Sequence, residues 1–394
     1  MQDVTQRAYK YRFYPTPEQA HTLACTFGCC RFVYNWALKL RKTASFEHGI
    51  RMSLGDLSAA MTALKKAEGT AWLAEVSSVP LQQSLRHLEK GMGNFFEGRA
   101  KYPTYHKKHK KQSATYAASA FTWNGSTLTL AKQKDPLHIV WSRPLPDGCK
   151  PSSVTVSKDA SGRSFVSILV EENIPTFPMT DKMIGIDLGL KSFLITSEGE
   201  VIDNPKYYAK AEKNLAKLER KKAKKKKGSK NRNKARLKVA KLHAKIADMR
   251  RDFQHKLSTR LIRENQVVCL ETLAVKNMLK NHCLAKAISD VGWSEFVRQL
   301  EYKAAWYGRT VVKIDRWTPS SKTCHCCGWV KEDLTLSDRV FVCEDCGNVT
   351  DRDYNAACNI LTVGQTAGNA CGGVVRRGKR KLGHADASET GTLS

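Results

Sequence analysis

Three stretches of this chain run from apolar residues onto an acid, and together they constrain its fold more than any other feature. Met183-Ile184-Gly185-Ile186-Asp187-Leu188-Gly189 surrounds one carboxylate with apolar side chains, and Ser192-Phe193-Leu194-Ile195-Thr196 follows. The pattern predicts a buried strand, a tight turn and a second strand. Gln266-Val267-Val268-Cys269-Leu270-Glu271 predicts another strand that ends on an acid. Asp351-Arg352-Asp353-Tyr354-Asn355-Ala356-Ala357 opens a predicted helix with two acids in its first turn. Taken alone, Asp187 reads equally well as a solvated acid at a strand end, and Asp351 as an acid that complements a helix dipole. Those readings do not explain three separated acids at the ends of elements that otherwise look like core, because a bare buried carboxylate is costly. Hard divalent cations such as magnesium take oxygen ligands. Two such ions can stabilise the attacking and leaving oxygens of a phosphodiester. An Asp, Glu, Asp set from two strands and one helix suits that chemistry.

The strongest local motif is a pair of Cys-x-x-Cys units, Cys324/Cys327 and Cys343/Cys346, with fifteen residues between the pairs. Gly328 and Gly347 follow the units and give each turn room. Four thiolates at this spacing form a closed tetrahedral site, which points to one structural zinc rather than a catalytic one. His325 and the extra thiol of Cys326 lie inside the first unit, so a change of ligand register stays open. Cys25, Cys29 and Cys30 read as packing residues of a helix.

Charge identifies the partner. The chain carries 66 Lys and Arg against 37 Asp and Glu, a net charge of +29 over 394 residues. A folded chain this basic implies a polyanion, with nucleic acid ahead of an acidic membrane surface. No apolar run is long enough for a membrane helix, and the N-terminal residues do not read as a secretory signal. An odd number of cysteines, four of them at metal spacing, points to a reducing, cytoplasmic setting.

Arg7 to Tyr14 alternates basic and aromatic residues and predicts a strand with one cationic face that includes Arg12. Thr16-Pro17-Glu18-Gln19 predicts a capped helix start, and the chain then reads as helical to about Phe96. There Leu81, Leu85, Leu88, Met92 and Phe95 form a core stripe. Gln82 reads as a solvated helix residue or as a reader of adenine. Arg99 to Lys111 is a basic loop that includes Lys107, Lys108, Lys110 and Lys111. Residues 113–175 read as β, with short strands at Phe121–Trp123, Leu128–Leu130 and Ile139–Trp141 and a hairpin across Asp159–Gly162. With the N-terminal strand they could close a small barrel. Ile174 to Lys182 is a linker. Between Arg220 and Lys238 there are twelve basic residues and no acid, among them Lys221, Lys222, Lys224, Lys225, Lys226 and Lys227. Gly228-Ser229 splits this run into two helices. The second helix carries an apolar stripe from Val239 to Leu257, while the lysines must meet solvent or phosphate. Ser294 to Gly308 predicts an amphipathic helix and Val311–Ile314 a buried strand. The chain loses its pattern after Ile360.

Taken as a set, these segments resemble the split RuvC nuclease domain of the transposon-encoded TnpB family, compact relatives of type V CRISPR effectors. The resemblance runs from about Arg7 to about Val363. It rests on Ile186-Asp187-Leu188-Gly189, Leu270-Glu271, Phe296 to Ala304, Pro319-Ser320-Ser321 and Asp351-Arg352-Asp353-x-Asn355-Ala356-Ala357-x-Asn359-Ile360. It implies that Asp187, Glu271 and Asp353 are the catalytic residues and ligands of two magnesium ions, and that Asp351 is a non-catalytic neighbour. It implies an α+β multidomain fold. A β-barrel (wedge-like) domain at 1–15 and 113–180 would carry an inserted helical recognition lobe at 16–112. An RNase H-like RuvC domain would occupy 181–318 and 351–364. That domain would be interrupted by a Lys-rich helical hairpin at 205–262 and a four-cysteine zinc ribbon at 319–350 that binds target nucleic acid. A disordered tail would fill 365–394. Residues 273–287 would act as a lid, and Gln82, Lys107 and Lys108 would meet RNA or DNA. The implied activity is RNA-guided cleavage of double-stranded DNA beside a short adjacent motif. Metal-activated water would attack the phosphodiester. The partners would be a guide RNA from the transposon end and double- and single-stranded target DNA, with one protein monomer per RNA. The alternatives are a binder that represses without cutting, and a strand-joining transposase.

Overall fold

In the N-terminal part the chain alternates between strand-forming aromatics and long helices. A computed structural model describes residues 4–108, 112–335 and 337–370. Lys110, Lys111 and the tail from 371 onward lie outside the described residues. The chain divides into two compact units, 1–173 and 174–385, with 386–394 assigned to the first.

The first unit begins with β1 (Thr5–Phe13), α1 (Pro17–His48), α2 (Leu54–Lys66) and α3 (Ser78–Phe96). The strands β2 (Gln112–Ala117), β3 (Phe121–Trp123), β4 (Leu128–Leu130), β5 (Ile139–Val140), β6 (Ser153–Lys158) and β7 (Ser164–Glu172) follow. Alternation along β1 buries Tyr9, Tyr11 and Phe13 and leaves Lys10 and Arg12 on the other face. The helices are inserted between β1 and β2 in an antiparallel sheet of order β2-β6-β7-β1-β5, and β3 and β4 form a separate hairpin. This ladder ends at β2 on one side and β5 on the other. The start of α1 is a capping box: Thr16 Oγ1 accepts from the Gln19 N–H at 3.2 Å, and Gln19 Oε1 accepts from the Thr16 N–H at 3.1 Å. In α3 the predicted stripe buries Leu81, Leu85, Leu88 and Met92. Phe95 departs from it. The helix ends one residue later, and Phe95 stays 37% exposed against Phe96 and Tyr102.

The second unit contains β8 (Met183–Leu188), β9 (Ser192–Thr196), β10 (Val201–Asp203), α4 (Tyr207–Ala223), α5 (Lys230–Glu264) and β11 (Val267–Glu271). After these come α6 (Val275–Met278), α7 (Ala285–Val291), α8 (Trp293–Tyr307), β12 (Thr310–Ile314), β13 (Val340–Val342), β14 (Val349–Asp351) and α9 (Arg352–Ala370). The main sheet has the order β10-β9-β8-β11-β12. The β10-β9-β8 part is antiparallel and the β8-β11-β12 part parallel. One core joins Ile186, Leu194, Val268 and Leu270 of the sheet to Leu257, Leu261, Phe296 and Leu300 of α5 and α8. Between those helices Lys303 is fully buried and donates to His255 O, Ser258 Oγ and Thr259 Oγ1 at 2.9, 3.0 and 2.6 Å. The linker packs as well: Phe177 stacks on Tyr307, and Arg309 donates to Pro178 O at 2.7 Å. Helix α9 runs on to Ala370, so residues 365–370, expected in a disordered tail, are helical. Among the described residues no helix is long and apolar enough to cross a membrane.

Candidate active site and metal centre

Strand register sets two of the acids side by side. Leu270 of β11 pairs with Ile186 of β8 in parallel, so Glu271 and Asp187 are the next residues at the same end of neighbouring strands. The third acid arrives on α9, which lies directly on the sheet because two positions lack a side chain. A β-carbon on Gly185 would stand 2.7 Å from Leu361 N and closer still to Ala357 O. A β-carbon on Gly364 would stand 2.8 Å from the β-carbon of Cys269. This close approach brings the first turn of α9, with Asp353, over the ends of β8 and β11.

The electrostatics agree with this placement. The Asp187 carboxyl is pushed up to about 7, first by burial, then by the charges of Glu271 and Asp353, with the Arg352 guanidinium opposing. All three acids therefore sense one another. Each of the other two also has its own partner. The Ser320 hydroxyl donates to Glu271 Oε1. Arg352 donates to Asp353 Oδ1 from Nε and Nη2 at 3.1 and 2.9 Å, with Arg339 4.0 Å from Oδ2. Asp351 stands apart: its Oδ1 accepts the N–H groups of Asp353 and Tyr354 at 2.9 and 3.1 Å, which makes it the cap of α9.

The cysteines form a second centre. The ligand atoms of Cys324, Cys327, Cys343 and Cys346 all lie within 4.8 Å of one another; the three carboxylates are not gathered that tightly. The sulfurs of Cys324 and Cys346 are 3.7 Å apart and those of Cys327 and Cys343 3.5 Å. A disulfide needs about 2.05 Å, whereas a tetrahedral zinc with bonds of about 2.3 Å spaces its sulfurs roughly 3.8 Å apart. The donor set and spacing fit zinc. Gly328 and Gly347 adopt φ of 82° and 74° and close two equivalent knuckles, each by a hydrogen bond to the first Cys carbonyl of its pair. Cys326 stays outside the cluster, exposed and 3.4 Å from His325 Nε2. His325 Nδ1 faces Asn355 Oδ1 at 2.9 Å.

The basic candidates are spread over both units. Lys224, Lys225, Lys226 and Lys227 are exposed in the turn between α4 and α5, as is Lys221 just before it. Arg232 closes this turn with hydrogen bonds to the carbonyls of Lys222 and Lys225 at 3.1 and 2.8 Å, and Lys222 pairs with Glu219. In the first unit Gln82, Lys107 and Lys108 are exposed. Arg12 lies over the rings of Tyr14 and Phe165, its centroid distances 5.2 and 5.6 Å.

Sequence reasoning left Asn355 and Asn359 without a role. Both are buried on one face of α9. Asn359 Nδ2 donates to Ser320 O at 2.8 Å and to Thr323 O at 2.6 Å, and Asn355 Nδ2 donates to Thr323 O at 2.7 Å. Two asparagines four residues apart on an otherwise apolar helix were the available signal.

Comparison with known proteins settles the family. A protein of Streptomyces pristinaespiralis named "Putative RNA-guided DNA endonuclease" is 54% identical over 377 residues, covering 95% of this chain and 93% of that one. The chain belongs to the TnpB family. Another relative, "Putative RNA-guided DNA endonuclease InsQ" of Escherichia coli (strain K12), is 32% identical over 391 residues, covering 95% of this chain and 96% of its own. Mimivirus "TnpB-like protein L79" is 30% identical over 231 residues, covering 54% of this chain and 43% of its own. Family models match at 166–282 (OrfB of IS605, "Probable transposase"), 293–360 ("Cas12f1-like, TNB domain") and 1–49 ("Helix-turn-helix domain"). Over the last span this TnpB chain has β1 and the single long helix α1. A solved Cas12f1–sgRNA–target DNA complex shares the fold at a TM-score of 0.58 and 14% identity, covering 91% of this chain and 99% of that one.

Proposed function

We propose that the chain is an RNA-guided DNA endonuclease of RuvC type, with Asp187, Glu271 and Asp353 as the residues that hold two magnesium ions. The observation that carries this reading is the pairing of β8 with β11, which sets Asp187 beside Glu271, together with the raised Asp187 carboxyl. The donors are oxygens, which suits magnesium. Magnesium, when bound, neutralises charge on the attacking and leaving oxygens of the phosphodiester. Asp187 releases its proton as cationic charge approaches and joins Glu271 and Asp353 as an anionic cradle. Ser320 and Arg352 orient two of these carboxylates.

The fold supports the finer reading. A sheet with three parallel and two antiparallel strands, backed by α5, α8 and α9, suits the RNase H-like layout. The sheet of the first unit, with helices inserted between β1 and β2, suits a wedge domain carrying a recognition lobe. Zinc in the ribbon at 319–350 is structural. The exposed lysines of the α4–α5 turn meet phosphate without sequence choice. A guide RNA pairs with target DNA, and one cytoplasmic monomer carries one RNA. The printed description "Probable transposase" on residues 166–282 favours a second reading, strand joining.

Purifying the protein from its host and sequencing the bound RNA tests the proposal. A single RNA species whose exchanged guide redirects cutting to a matching DNA is the expected result. Loss of any defined RNA, or products with joined rather than free ends, would replace the guided-nuclease reading.

A further inference from the structure

The segment between β12 and the first zinc knuckle touches the active site at one point, Ser320. Its side chain is buried, and its hydroxyl donates to Glu271 Oε1. Its backbone is held from the opposite side. Asn359 Nδ2 donates to Ser320 O and to Thr323 O, so one buried amide spans the stretch from Ser320 to Thr323, the residue before Cys324. Asn355 adds a second donor to Thr323 O and accepts the His325 N–H at 3.0 Å. Asn355 and Asn359 lie on the helix whose first turn carries Asp353.

We infer that Ser320 is a positioning residue for Glu271, set in place by Asn359. Glu271 sits at the end of β11, where a carboxylate on a flexible stem can take several rotamers. A hydroxyl donating to Oε1 selects one of them and adds a charge-assisted hydrogen bond. The donor cannot drift, because the carbonyl of the same residue is tied to α9. Rotation of Glu271 is thereby coupled to the helix bearing Asp353, and the two carboxylates hold a fixed relation. Partners of ligating carboxylates usually set metal affinity, and their loss costs roughly 10- to 100-fold.

The inference rests on the reading of Asp187, Glu271 and Asp353 as ligands of a divalent cation, and the test separates the two. Manganese binding to the full-length protein is titrated directly by electron paramagnetic resonance, with Asp187→Ala defining the signal that belongs to this site. If wild type shows no manganese signal that Asp187→Ala removes, the ligand reading itself falls. With that signal present, Ser320→Val and Ser320→Thr are compared, a pair of nearly equal shape that differs by the hydroxyl. Zinc content and melting temperature verify that both are folded. The expected result is manganese affinity weakened about 10- to 100-fold in Ser320→Val and kept close to wild type in Ser320→Thr. Equal affinity in the two variants, whether both strong or both weak, would overturn the role of the hydroxyl.

Discussion

Gly185 of β8 lies directly under the carbonyl oxygen of Ala357 in α9, too close for any β-carbon to come between them. Everything that brings Asp353 to Asp187 depends on that approach. Gly185→Ala must push the strand and helix apart. Overpacking of this kind costs about 1–3 kcal/mol, and each kcal/mol lowers the melting temperature by about 2–4 °C in a unit of this size. We expect a melting temperature several degrees lower, cleavage lost, and nucleic-acid binding largely kept. A variant that melts and cuts like wild type would show that the contact does not set the site.

A carboxyl pushed up to about 7 makes the free protein's stability depend on pH. The folded pKa lies above the unfolded value of about 3.9, so the folded state holds the extra proton between pH 4 and 7. The stability that Asp187 contributes is full below pH 4 and is lost as pH rises through 7. In divalent-free buffer, Asp187→Asn should remove this slope and raise stability at pH 8 by on the order of 2–4 kcal/mol. Denaturant midpoints at pH 5 and pH 8 measure it. No gain at pH 8 would contradict the raised pKa.

The zinc ribbon should fail as a unit. Cys343 and Cys324 are buried with Phe341 in its small core. Cys343→Ser should release the metal, measured as zinc per chain by plasma emission, and lower cleavage, because the first knuckle is tied to α9 through Asn355 and Asn359. Guide RNA binding should persist. Stoichiometric zinc in the variant would contradict the four-thiolate site.

Much of this site was legible because its signals are local. A strand ending on an acid and two cysteines three residues apart announce themselves within one element, and Thr16 and Gln19 announce the start of α1. What joins the elements was not legible. Gly364 packs on Cys269, which is distant in sequence, and nothing near Gly364 records that contact. Lys303 falls on the helix of the apolar stripe, and a lysine there is expected in solvent. It is buried because α5 supplies three oxygens to its ammonium. Phe95 fails the other way: it keeps the period of the stripe, but the helix ends before anything covers it. Ser320 gave no signal because its partner, Glu271, lies on another strand.

The central claim is that Asp187, Glu271 and Asp353 cut DNA as one cation-holding set. It is tested most directly by loading wild type and Asp187→Ala with the same guide RNA in magnesium, and measuring target binding and target cleavage side by side. The account predicts equal binding and no detectable cutting by the variant. Cutting by Asp187→Ala at the wild-type rate would contradict it.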